Sequence, residues 1–199
     1  MSRQVCRGFH ERKKVRCLNF DEGVAILAST PLSGSVSGRL RLTEGMHRVE
    51  ARPDGDIASL GSRLDKIFRW LPPDTGRLFY LHDWGFGALA QPYSFVMAAR
   101  QGIGETRPLI DARMHHFPTM SWTWDAQEET EEQKRESGLL AGLVISTMCF
   151  GWDAWLVAEN CREAIEFWEG NILFYSPANA KLDEARSMLK EFGFPPKMK

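Results

Sequence analysis

The last third of the chain sets the tightest limit on the fold. Trp155–Glu159, Ala164–Trp168 and Ile172–Tyr175 are short runs rich in aromatic and aliphatic residues, separated by turn-prone Asn160-Cys161-Arg162 and Glu169-Gly170-Asn171. Connectors this short leave no room for a crossover helix, so the three runs predict an antiparallel meander. Ser176 then reads as a helix cap with Pro177 at the first helical position. Leu182, Ala185, Leu189 and Phe192 recur at helical spacing as a buried stripe, and Gly193 followed by Pro195-Pro196 ends the run. A chain that closes this way is expected to be α+β: a mainly antiparallel sheet with three or four helices packed largely on one side.

The earlier part divides less sharply. Residues 1–14 form a basic arm, and residues 15–199 are expected to make a single domain. Val15–Phe20 and Val24–Ala28 predict two strands joined by a turn at Asp21-Glu22-Gly23. Pro31–Gly38 is a Ser/Gly-rich connector. Arg39–Thr43 alternates polar and apolar residues as a half-exposed strand does, and Glu44-Gly45 turns it toward a further strand at His47–Ala51. Leu60, Leu64, Ile67, Phe68 and Leu71 predict one helix over 57–71, stopped by Pro72-Pro73. A buried strand is expected at Leu78–Leu81, a helix from Pro92 to about Gly102, and an ambiguous segment, strand slightly favoured, at Leu109–Phe117. Asp125 and Glu128 have the spacing of a capping box at the start of a third helix, which turns apolar through Leu139, Leu140, Leu143, Val144 and Phe150. Gly138 and Gly142 each weaken that helix by about 1 kcal/mol relative to Ala, so a kink or a second short element there would be no surprise.

Composition excludes several classes. With 199 residues, 43% hydrophobic and 26% charged, the chain has globular proportions and length enough for a real core. A formal net charge of -1 argues against a general binder of nucleic acid or membrane surfaces. The longest apolar run, Leu139–Phe150, is too short to span a bilayer and reads as buried core. The first sixteen residues carry Arg3, Arg7, Arg12, Lys13, Lys14 and Arg16 and lack the apolar stretch of a secretory signal. The four cysteines, Cys6, Cys17, Cys149 and Cys161, show no zinc-site spacing. A thiol-reduced, cytoplasmic protein is the expectation.

The candidate chemistry is thin. His115-His116 with Asp111 resembles a metal site, but adjacent residues on a strand point to opposite faces, so ordinary histidines are expected. His82-Asp83 follows a strand end, where an imidazole beside a carboxylate can serve as an acid/base pair; the same turn, with Gly85 and Gly87, also suits a tight chain reversal. Cys149, between Met148 and Phe150, reads as an inert buried thiol. Ser33–Gly38 lacks the Gly-Lys-Ser/Thr ending of a phosphate loop and reads as a plain loop. No motif calls for a cofactor.

Two features point to binding instead. Seven tryptophans are many for this length. Trp122 and Trp124 share strand-face parity and directly precede Glu128, Glu129, Glu131 and Glu132, the acidic start of the third helix. Aromatic anchors beside a one-sign charge cluster have the composition of a protein-binding hot spot facing a basic partner. The bland alternatives are two core tryptophans and a solvated helix face.

The ending also carries a resemblance. Gly151-Trp152-Asp153 leads into a strand, followed by Ile165-Glu166-Phe167-Trp168-Glu169, then Asn171-Ile172-Leu173-Phe174-Tyr175-Ser176 and a short amphipathic helix. This pattern, over about the last fifty residues, is similar to the C-terminal region of several small bacterial immunity proteins that neutralise polymorphic or secreted toxins. Where those families often carry a Ser-His-Asp turn, this chain has Trp168-Glu169-Gly170. The resemblance implies a cytoplasmic, non-enzymatic protein that binds one partner tightly. Three functional readings therefore stand: an immunity-type binder, a small hydrolase or transferase using His82 and Asp83 with Cys149 or His115 nearby, and a nucleic-acid-associated factor using the basic arm.

Overall fold

The computed structural model describes residues 15–17, 25, 28, 30–33, 41–53, 57–71, 77–82, 118–123, 131–151, 153–158 and 162–194. Its centre is a seven-stranded sheet in the order β1 (Val15–Cys17), β6 (Pro118–Thr123), β5 (Arg77–His82), β7 (Asp153–Ala158), β8 (Ala164–Trp168), β9 (Asn171–Ser176) and β4 (His47–Ala51). Every neighbouring pair is antiparallel. A separate two-stranded ribbon pairs β2 (Leu32–Ser33) with β3 (Arg41–Leu42). Among the described residues, the helices of more than one turn's extent are α1 (Ile57–Gly61), α2 (Leu64–Phe68), α3 (Glu131–Phe150) and α4 (Asn179–Glu191). The fold is α+β, as expected.

The two-residue period of the strands divides the buried side chains between two faces. Val49, Ala51, Leu78, Tyr80, Ala154, Leu156, Ile165, Phe167, Ile172 and Phe174 form one core with the apolar sides of all four helices. Phe79, Leu81, Trp155, Val157, Ala164, Leu173 and Tyr175 form a second, against which Leu32 of β2 and Leu42 of β3 pack. Strands buried on both faces read as continuous apolar runs rather than alternating ones, which is why β7 and β9 are buried along their whole length.

The closing helix is fixed at both ends. Ser176 does not cap it: the first helical residue is Asn179, and the N-cap position falls to Ala178. Ser176 Oγ instead accepts the Ala178 N–H at 3.1 Å and donates to Glu163 Oε1 at 3.2 Å, bracing the entry turn against the segment before β8. At the other end Gly193 adopts φ +74, and two bonds close the turn: Phe194 N–H to Leu189 O at 2.9 Å and Gly193 N–H to Lys190 O at 3.0 Å. Those are the two bonds of a Schellman motif, and buried Phe194 and Leu189 supply its apolar contact. Met188 joins the expected Leu182, Ala185 and Leu189 in the buried stripe, while Phe192 packs partly buried at its end. The Arg63 guanidinium stacks over the Phe194 ring at 4.7 Å, and the Trp70 indole N–H donates to Lys181 O at 3.0 Å, so the turns before and after α2 hold α4 and its C-terminal turn.

Two further expectations need correction. Val15–Cys17 does not form a hairpin with 24–28; it pairs with β6, Ala25 is helical, and Ala28 lies in a turn. The turn expected at 21–23 lies outside the described residues. The helix expected over 57–71 is two short helices: α1 stops at Gly61, and a turn through Ser62-Arg63 restarts the chain at Leu64. A Cβ at Gly61 would lie 3.3 Å from Ile145 Cδ1, so the glycine that ends α1 also lets it approach α3 closely. Conversely, α3 runs unbroken through Gly138 and Gly142, because its buried stripe of Leu140, Leu143, Val144, Thr147 and Met148 outweighs their poor propensity. The helix expected over 92–102 and the segment 109–117 lie outside the described residues.

Candidate functional site

The expected partner-binding residues fall at one strand end and one helix start. Trp122 is the penultimate residue of β6, an internal strand, and its backbone sits between Val15 of β1 and Leu78 of β5. Glu131 and Glu132 open α3. Trp124, Glu128 and Glu129 lie outside the described residues. Chain geometry holds the Cα atoms of Trp122 and Glu131 within about 30 Å of each other.

The residues weighed for catalysis separate more clearly. His82 ends β5, with its backbone opposite Ala154 at the start of β7; Asp83, Asp111, His115 and His116 lie outside the described residues. Cys149 is exposed, which corrects the buried thiol expected from its neighbours. The reason is helix phase. Thr147 faces β5, where its hydroxyl meets that of Tyr80 at 2.5 Å. Cys149, two residues on, lies about 200° further round the helix and so points away from the strand that carries His82. Among the described residues, no group of three or more His, Cys, Asp or Glu side chains could hold a metal ion.

The polar geometry that is present sits on the sheet, and sequence reasoning missed it. On the ribbon-bearing face, Tyr175 donates its phenol proton to Glu166 Oε2 at 2.6 Å. Arg48 of β4 stands directly opposite Tyr175 in the register and lies 3.9 Å from Glu50. The Trp155 ring packs on Tyr175 with centroids 5.5 Å apart. Burial, reinforced by the negative charge of Glu166 and the hydrogen bond to it, pushes the Tyr175 phenol well above its ordinary value of 10.0, with Arg48 opposing. On the helix-bearing face, burial likewise raises Tyr80, and its bond to Thr147 opposes the shift. Thr147 spends its own proton on Leu143 O at 3.0 Å, so Tyr80 is the donor of that pair.

Phenols held this way stay protonated at neutral pH. They donate hydrogen bonds and serve neither as bases nor as nucleophiles. The Tyr175–Glu166 bond ties β9 to β8, and the register sets Arg48 of β4 beside it. Each strand was readable by itself, but only the register that sets Arg48 against Tyr175 assembles the trio of Arg48, Tyr175 and Glu166.

No protein-family model, no curated protein and no solved structure matches the chain. Among the described residues, no helix is long and apolar enough to cross a membrane.

Proposed function

We propose that this chain is a cytoplasmic, non-enzymatic binding protein of the immunity type, which neutralises a cognate bacterial toxin by covering its working surface. The observation that supports this most is the setting of the aromatic–acidic segment. Trp122 belongs to a strand paired on both sides, and Glu131 and Glu132 stand in the first turn of a twenty-residue helix. Both flanks of the segment are thus carried on fixed elements, and a preordered surface loses less entropy on binding than a mobile one. The polar groups described above do structural work of the same kind: Tyr80–Thr147 and Tyr175–Glu166 stiffen the sheet from its two faces.

The partner that fits carries a basic surface facing Glu128, Glu129, Glu131 and Glu132, with pockets for Trp122 or Trp124. Such a binder takes its affinity from a few desolvated anchors and its encounter rate from complementary charge. Co-expression tests the reading. A toxic product encoded beside this chain should arrest growth alone and be neutralised by the chain in a direct complex. Reversal of charge at Glu129 and Glu132 should slow association by about tenfold or more at low salt and reduce its salt dependence. Neutralisation without a complex, or a complex whose formation ignores both charge reversals, overturns the assignment of this surface.

The hydrolase reading keeps one observation in its favour: His82 closes an internal strand, and loops at strand ends commonly carry chemistry. An activity abolished by His82→Ala in a stably folded protein would establish it.

A further inference from the structure

We draw no further inference here: the strongest candidate, the uncharged outward side of α3 formed by Gly138, Gly142, Ser146 and Cys149, is a stripe of small residues, and nothing in the structure shows what covers it.

Discussion

The stretch from Asp153 to Phe194 and the stretch from Val15 to Phe68 supply the same sheet by different means. In the first, β7, β8 and β9 follow one another in sequence and in space, and α4 folds back over them. In the second, β1 finds its partner in β6 and β4 finds its partner in β9, both far along the chain. Local pairing costs little loop-closure entropy, so each element can be long and its turns short. Distant pairing carries the larger closure cost, and β1 and β4 take their places in the sheet from later partners. The later stretch is the platform: β4 adds to its β9 edge, while β1 joins the sheet through β6 and β5.

Core truncations break this comparison most directly. Phe174 is fully buried in β9, stands opposite Val49 of β4 in the register and meets the Trp70 ring edge-on at 5.0 Å, so it joins the two stretches. Phe174→Ala should lower the unfolding free energy by about 3–5 kcal/mol. Leu32→Ala removes a buried side chain from the ribbon, whose core is smaller, and should cost about 2–3 kcal/mol, the low end for such a change. Urea unfolding of both variants measures the difference. Equal losses would mean that the ribbon is as integral to the fold as the meander.

The buried hydroxyl pair gives a smaller and asymmetric effect. Tyr80→Phe leaves Thr147 bonded to Leu143 O, so it should cost about 1 kcal/mol. Thr147→Val strands the Tyr80 hydroxyl in the core and should cost about 1–3 kcal/mol. A Tyr80→Phe loss larger than the Thr147→Val loss would show that the proton runs the other way.

The raised phenols make stability depend on alkaline pH. Below about pH 10 both are protonated whether the chain is folded or not, and their contribution is fully present. Above that, the unfolded chain releases protons that the folded chain retains, because the folded values of Tyr80 and Tyr175 lie higher. Each should then reduce stability by about 1.4 kcal/mol per pH unit. Unfolding curves between pH 9 and pH 11 read the slope, and Tyr175→Phe should remove about half of it. An unchanged slope would mean that Tyr175 reaches water more freely than its burial and its hydrogen bond to Glu166 indicate.

What could be read from the sequence follows the same division. The meander, its turn at Glu169-Gly170, the stripe Leu182–Ala185–Leu189 and the stop at Gly193 were all readable because their signals are local. The partner of β1 was not, since nothing near Val15 encodes Trp122. Nor was the exposure of Cys149, which depends on the phase in which α3 docks rather than on its apolar neighbours. The Arg48–Tyr175–Glu166 trio needed the register of three strands at once. Of the candidate interface, the aromatic–acidic composition was readable, and the double-sided pairing of the strand carrying Trp122 was not.

The smallest expected effect lies at the tip joining β8 to β9. Trp168 pairs directly with Asn171, so the loop between them is only Glu169 and Gly170, and both have positive φ, +48 and +79. That is the type I′ geometry, whose twist matches the flanking strands and which favours Asn-Gly. A glutamate there places its Cβ close to the following carbonyl, a crowding that Asn tolerates better through its short polar side chain. Its exposed position leaves no packing in return. Glu169→Asn should therefore raise stability by about 0.5 kcal/mol, or about 1–2 °C in Tm for a chain of this length. The turn between β3 and β4 offers no such gain, because the positive φ of +83 there already falls on Gly45. Differential scanning calorimetry resolves a shift of this size. A lower Tm for Glu169→Asn would show that the glutamate side chain makes a stabilising contact at the tip, and the meander would then lose its clearest point of local strain.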